Sequence, residues 1–268
     1  RDQVGLALGE DVGPGDRTAA LIPAESRSRV RVLCREDAVL CGLPWFEEVF
    51  RQLDAGVRLD WTAGDGDAVV ASQVVCELEG ATRALLTGER TALNYLQTLS
   101  GTATLARRYA DAVAGTGARI LDTRKTLPGL RRQQKYAVAC GGCLNHRMGL
   151  YDLVLIKENH IAAAGSVSAA LAAADRLAPD LEVEIEVESL EQLGEALTAG
   201  ARRILLDNFD LDELRRAVEL TDGRARLEAS GGVTLERVRA IAETGVDDIS
   251  VGDLTKDVRA VDLSMRFV

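Results

Sequence analysis

The chain is poor in histidine, has no ordered cysteine framework and has no long apolar run. Each shortage excludes something. Two histidines, His146 and His160, fall short of a histidine-built zinc centre, which takes about four ligands. The five cysteines, Cys34, Cys41, Cys76, Cys140 and Cys143, are odd in number and irregularly spread. That usage reads as a reduced, cytoplasmic protein. Cys140 and Cys143 form a lone CxxC around Gly141 and Gly142, with His146 three residues on; one reading is a zinc or redox site, and the plainer one is small packing residues beside a tight turn. No apolar stretch approaches the roughly 18–20 residues of a membrane span, and no basic-then-apolar leader is visible. The chain begins at Arg1 without Met, so a preceding N-terminal piece is expected. No Ser-His-Asp or Cys-His arrangement marks a covalent nucleophile.

What is present is acidic and able to form a core. The 268 residues carry 32 Lys and Arg against 42 Asp and Glu, a net charge of −10, and 47% are hydrophobic. This length fits one large domain or two modest ones. The charge disfavours nucleic acid and anionic membranes as partners. One stretch runs against it. From Arg119 to Lys157 there are eight basic residues (Arg119, Arg124, Lys125, Arg131, Arg132, Lys135, Arg147 and Lys157) and two acids, Asp122 and Asp152, a local charge of +6. A cationic pocket on an acidic protein suits a small polyanionic substrate.

The second half alternates strands and helices. Strand-like runs fall at 118–122, 152–157, 181–187, 203–207, 226–229 and 248–251, with helical periodicity at 166–177, 190–199, 211–220 and 235–244. Gly200, Gly223 and Gly245 follow three of the helices as stops. This rhythm predicts a parallel α/β barrel, incomplete at one seam, with six strands and a seventh hidden near 141–147. The first hundred residues predict antiparallel strands at 28–35, 38–41, 57–61 and 68–78 and a helix at 45–53. A longer helix over 89–111 joins two domains, 1–101 and 102–254, and the tail 255–268 returns to the first.

In such barrels the active site gathers at the C-terminal strand ends. Reading those ends gives Arg124, Lys125, Lys157, Glu186, Asp207, Ser230, Gly231, Gly232 and Gly252. Cations and backbone amides bind phosphate or carboxylate oxygens, and paired carboxylates suit Mg²⁺. Each position also has a plainer reading. Glu182, Glu184, Glu186 and Glu188 alternate like the solvated face of a strand. Asp207 fits a helix N-cap. Lys157 fits a salt bridge to Glu158. His146 beside Arg147 fits a surface pair, His160 a structural role, and Arg90 a solvated charge near a helix start.

Taken in order, the motifs are specific. They are Glu10-Asp-Val-Gly-Pro-Gly-Asp-Arg-Thr18, Glu89-Arg-Thr-Ala-Leu-Asn94, Asp122-Thr-Arg-Lys-Thr126 with Pro128-Gly-Leu130, and Gly141-Gly142 with Asn145-His-Arg147. Ile156-Lys-Glu-Asn-His160, Glu184-Ile-Glu-Val187, Leu205-Leu-Asp-Asn208, Glu228-Ala-Ser-Gly-Gly232 and Val251-Gly252 continue the series. Together they resemble the quinolinate phosphoribosyltransferases along nearly the whole chain. The resemblance implies an N-terminal open-faced α/β sandwich, an incomplete α/β barrel, and a homodimer, with a trimer of dimers also known for the fold. It implies transfer of phosphoribosyl from phosphoribosyl pyrophosphate to quinolinate. The products are nicotinate mononucleotide, pyrophosphate and CO₂, in de novo NAD synthesis.

The resemblance also assigns roles. Arg90 reaches the partner's pocket. Arg90, Arg124, His146, Arg147 and Lys157 bind the dicarboxylate, and Lys125 meets the phosphates. Glu186 and Asp207 hold Mg²⁺, the ribose hydroxyls or both, and Ser230, Gly231 and Gly252 cradle the 5′-phosphate. The catalytic set is Lys125, Lys157, Glu186 and Asp207. Lys256 stands at a phosphate-side position that is often histidine in the family, and a helix that normally packs on the first domain is absent from the start. Three rivals remain. One is a class I aldolase using Lys157 as a Schiff base. Another is a paralogue of this fold tied to molybdenum uptake, and the third is a non-catalytic scaffold.

Overall fold

The computed structural model describes residues 1–268. The chain divides into two compact units: Arg1–Ala106 with Cys140–Gly142 and Val258–Val268, and Arg107–Ala139 with Cys143–Asp257. The first begins with helix α1 (Asp2–Val12), followed by β1 (Arg27–Cys34), β2 (Ala38–Val39), α2 (Leu43–Leu53), β3 (Arg58–Trp61), β4 (Ala68–Val69) and β5 (Val74–Ala81). Helix α3 (Thr82–Ala112) follows. It starts seven residues before the sequence-based limit, so Glu89 and Arg90 lie well inside it rather than at its N-terminus. The predicted run 68–78 is two strands, because Ser72 turns the chain at φ 70°.

One face of the antiparallel sheet is buried, as the alternation along β1 requires. Val30, Val32, Cys76 and Leu78 point inward. Outward, Arg29 pairs with Glu79 and Arg31 with Glu77 in register across β1 and β5. Phe46 packs on Phe50 and edge-on against Trp61, both at 5.2 Å between centroids.

The second unit carries β6 (Arg119–Leu121), α4 (Arg131–Cys140), β7 (Val154–Ile156), α5 (Glu158–Ala164), α6 (Val167–Leu177), β8 (Val183–Val187), α7 (Leu190–Thr198) and β9 (Arg203–Asp207). It continues with α8 (Leu211–Thr221), β10 (Arg226–Ser230), α9 (Leu235–Ala242), β11 (Asp248–Ser250) and α10 (Asp253–Lys256). The final strand, β12 (Leu263–Phe267), pairs with β1 in the first unit's sheet, whose order is β12-β1-β5-β3.

Six parallel strands run in the order β6-β11-β10-β9-β8-β7. The expected seventh strand is a stub: Leu144 makes one parallel bridge to Leu121. The stub is short because Asp122 intercepts the next backbone groups. Its carboxylate accepts the His146 N–H at 2.9 Å in place of a ladder bond. Side-chain caps set three of the outer helices. Ser166, Ser189 and Asp210 accept amide hydrogens from the first turns of α6, α7 and α8, and Glu213 completes a capping box with Asp210. Asp210, not Asp207, is thus the N-cap of α8, which leaves Asp207 free for the site.

Candidate active site

At the C-terminal ends of the parallel strands lies a cavity of about 670 Å³. Arg124, Lys125, His146, Arg147, Lys157, Glu186, Asp207, Ser230, Gly231, Gly252 and Lys256 all line it. Arg90 is exposed on α3 in the other unit and is not part of this lining.

The cationic stretch of the sequence is sorted by the fold. Arg119 pairs with buried Asp248, and Lys135, wholly buried, pairs with Asp122 and donates to the His146 carbonyl at 2.9 Å. Arg131 donates to Thr126 and to the Met148 and Arg124 carbonyls. Arg132 is exposed and does not line the cavity. Four cations of this stretch therefore face it, Arg124, Lys125, Arg147 and Lys157, and Lys256 adds a fifth from α10. The local charge of +6 overstated the pocket's own charge.

Arg124 and Arg147 are the least compensated pair. The Arg124 Nε is buried without a hydrogen-bond partner. Arg147 donates to the Leu153 carbonyl at 3.1 Å. Burial first, and then the like charge of Arg124, pull the Arg147 pKa down. A desolvated guanidinium facing another guanidinium calls for an anion between them.

His146 is not a surface residue: its side chain is 7% exposed. Its Nε2 lies 2.8 Å from Glu184 and 3.4 Å from Glu228. Burial alone pushes the imidazole toward neutrality, but the two carboxylates prevail and raise its pKa to about 9. Its Nδ1 also accepts the Arg147 amide at 2.7 Å, a contact that suits the neutral ring. One backbone contact does not outweigh two carboxylates. Arg203 holds both from below, with Nε 3.0 Å from Glu184 and a terminal nitrogen 3.0 Å from Glu228. Asn145 anchors the same turn when its amide nitrogen faces Asp122, at 2.7 Å, and the Lys135 carbonyl, at 2.9 Å. Glu184 and Glu186 are both buried, so the alternating acids of β8 are not a solvated face. Glu184, Glu228 and Arg203 received no role from the sequence. A glutamate inside the buried run 226–229 was the available signal.

Lys157 ion-pairs with Glu186, not Glu158, and remains 43% exposed on its side chain. Burial first lifts the Glu186 pKa, and Asp207 adds to this against the opposing pull of Lys157. His160 accepts the Lys157 N–H at 3.0 Å and so caps α5. On the next strand Asn208 donates to Asp207 at 2.8 Å, and its backbone N–H bonds the Ser230 carbonyl at 2.9 Å. Gly231 (φ 101°) follows Ser230, and a Cβ there would meet Asn208 Oδ1 at 2.1 Å, so only glycine fits this turn. Glu186 and Asp207 end neighbouring parallel strands. Two carboxylates with room for water and substrate oxygens fit Mg²⁺, which favours few protein ligands.

A parallel α/β ring with unpaired guanidinia, a lysine–carboxylate pair and a glycine turn at its carboxyl edge defines a barrel-type enzyme acting on small polyanions. The comparisons agree. The family described as quinolinate phosphoribosyl transferase, N-terminal domain, matches residues 16–100, and its C-terminal domain matches residues 102–266. A Mycobacterium leprae protein named nicotinate-nucleotide pyrophosphorylase (carboxylating) is 45% identical over 274 residues, 99% of this chain and 96% of its own length. A Nicotiana tabacum protein named quinolinate phosphoribosyltransferase (decarboxylating) 1b is 40% identical, over 97% of this chain and 80% of its own. The solved nicotinate-nucleotide pyrophosphorylase of Francisella tularensis aligns with a TM-score of 0.95 at 42% identity, covering 100% of this chain and 95% of that one. The chain belongs to the quinolinate phosphoribosyltransferase family.

Proposed function

We propose that this chain transfers phosphoribosyl from phosphoribosyl pyrophosphate to quinolinate and releases CO₂ and pyrophosphate. The product is nicotinate mononucleotide, and the pathway is de novo NAD synthesis. The observation that carries the reading is the Arg124–Arg147 pair, under-compensated in a cavity whose far side carries Glu186, Asp207 and the Gly231 turn. Planar guanidinia match carboxylates bidentately, and quinolinate has two. Imidazolium at His146 and ammonium at Lys157 complete the cationic wall. Lys125, Ser230, Gly231 and Gly252 face the phosphates, with Lys256 beside them.

Catalysis in this reading is positioning plus electrostatics. Departure of pyrophosphate leaves positive charge on the ribose carbon, which the carboxylates of Glu186 and Asp207 stabilise. The pyridine nitrogen attacks that carbon and becomes cationic. The carboxylate next to it then leaves as CO₂, and its electron pair stays on a ring carbon stabilised by the adjacent positive nitrogen; that carbon then takes up a proton from solvent. Mg²⁺, held by Glu186 and Asp207, would neutralise charge on the phosphates. Lys157 serves as an anchor paired with Glu186. That ion pair engages the amine that an aldolase would need free for a Schiff base.

Arg90 completes the dicarboxylate site of a partner in a homodimer, or in a trimer of dimers. The protein works in the cytoplasm. No helix is long and apolar enough to cross a membrane. The test is Mg²⁺-dependent consumption of quinolinate with phosphoribosyl pyrophosphate, with nicotinate and nicotinamide as competing acceptors. Turnover of quinolinate alone, with CO₂ release, is the expected result. Turnover only of a monocarboxylate or an amide overturns the dicarboxylate assignment.

A further inference from the structure

Outside the cavity, the first unit brings together three metal-competent side chains from distant parts of the sequence. The Sγ atoms of Cys41 and Cys140 and a carboxylate oxygen of Asp65 lie within 4.8 Å of one another. The structure thus groups Cys140 with Cys41 rather than with Cys143, its CxxC neighbour. We propose that Cys41, Asp65 and Cys140 bind one thiophilic divalent cation of the Zn²⁺ class, with a fourth position open to water.

The ligand set fits the ion. Zn²⁺ takes thiolate and carboxylate ligands in a tetrahedron, with Zn–S about 2.3 Å and Zn–O about 2.0 Å. Those bonds put neighbouring ligand atoms roughly 3.5–3.8 Å apart, so closure asks for a shift of about 1 Å or less. Access also fits. Cys41 is fully buried, while Asp65 and Cys140 are half-buried, so two of the three ligands keep some contact with solvent.

The surrounding bonds hold the three groups in place. Cys41 exchanges two hydrogen bonds with Ser100: its N–H donates to Oγ at 2.9 Å, and Oγ donates to its carbonyl at 3.2 Å. Asp65 accepts the Gly42 and Leu43 amides on one oxygen, at 2.7 and 3.1 Å, which fixes the carboxylate plane. The Asp65 turn is tied back by Gly66 N–H to the Leu40 carbonyl at 2.8 Å. Gly66 (φ 93°) lets that turn close on Cys140, since a Cβ there would meet the Cys140 carbonyl at 3.2 Å. Such outer bonds orient ligands and govern metal affinity.

Burial, then Asp65 and Cys140, push the Cys41 thiol up. Binding releases one proton from each thiol to solvent and leaves two thiolates and one carboxylate around the ion. The site then fastens Cys140, which directly precedes the Gly141-Gly142 turn toward Asn145, His146 and Arg147.

The test uses the full chain, reduced and stripped of metal. Co²⁺ is titrated in excess Mg²⁺, which occupies oxygen-only sites, and thiolate-to-cobalt charge transfer is read in the near ultraviolet. One equivalent per chain is expected, displaced by Zn²⁺. Cys41→Ser and Cys140→Ser are expected to lose the band, and Asp65→Asn to weaken Zn²⁺ binding by more than about tenfold. Thermal melting checks that each variant folds. Should Cys41→Ser unfold, the half-buried Cys140→Ser carries the test. Absence of a thiolate band in the unsubstituted chain, or an undiminished band in folded Cys140→Ser, overturns the site.

Discussion

The two ends of the same parallel strands use the same residue types in opposite ways. At the lower end the three strand-borne guanidinia are answered. Arg119 and Arg226 share Asp248, and Arg203 spans Glu182, Glu184 and Glu228. Burial alone would raise the Asp248 pKa, yet Arg226 and Arg119 hold it below its ordinary value. At the upper end Arg124 has a buried Nε with no partner, and Arg147 faces a like charge. Charges compensated inside the protein serve the fold. Charges left uncompensated are complementary to something that arrives. The layer between, His146 with Glu184 and Glu228, couples the two.

The largest expected effect breaks the lower end. Arg203→Met leaves Glu184 and Glu228 buried with His146 as their remaining side-chain cation, and removing one member of a buried network costs about 3–5 kcal/mol. A drop in melting temperature of roughly 10 °C is expected by calorimetry or circular dichroism. A drop under about 2 °C means that the lower network is not what holds the strands together.

The converse change sits at the upper end. Arg124→Ala or Lys157→Ala is expected to lower kcat/KM for quinolinate by about 10²–10³-fold, the scale seen when one aligned donor is removed. For Arg124→Ala the melting temperature should stay near that of the parent, because Arg124 makes no internal ion pair; Lys157→Ala also removes the half-exposed pair with Glu186, so a small drop is expected there. Full activity in both variants would sink the pocket assignment.

The middle layer gives a smaller, pH-dependent signal. The folded pKa of His146 is raised to about 9 from an ordinary value near 6.5. A raised pKa means that folding favours the protonated form. Its stabilisation is fully present below about pH 6.5 and is lost as pH rises through about 9. The melting-temperature gap between the parent and His146→Asn should therefore be widest near pH 6 and narrow by pH 10. A gap that is flat across this range means that the ring is neutral throughout, held by the Arg147 amide alone.

How much of this was legible follows from which interactions are local. Strands β6 to β11 announce themselves as short apolar runs between helical stretches, and the residues ending them meet in one cavity. The stub at Leu144 was only half legible, because its length is set by the Asp122 side chain, a contact across 24 residues. Helix α4 was missed. Its Arg-Arg-Gln-Gln-Lys start looks solvated, yet Gln133, Gln134 and Lys135 are buried there by distant partners such as Asp122 and the Thr255 carbonyl. The roles of Glu184 and Glu228 depend on three-dimensional pairing with Arg203 and His146, which no spacing encodes.

The smallest expected signal asks whether the upper end is complete within one chain. Arg90 is exposed, inside α3 and not among the residues lining the cavity, yet a dicarboxylate between two guanidinia has room for a third cation. If a partner supplies it, Arg90→Ala and Lys157→Ala are each inactive for different sites. In a mixed dimer one site takes both lesions and the other takes neither. Random exchange makes half the dimers mixed, so about a quarter of the parent activity should return. Subunit exchange is verified by mass-tagged chains in the same sample. Exchange without recovery means that the five Lys and Arg side chains lining the cavity, with His146, neutralise the substrate unaided, and that the contrast between the two ends is drawn within a single chain.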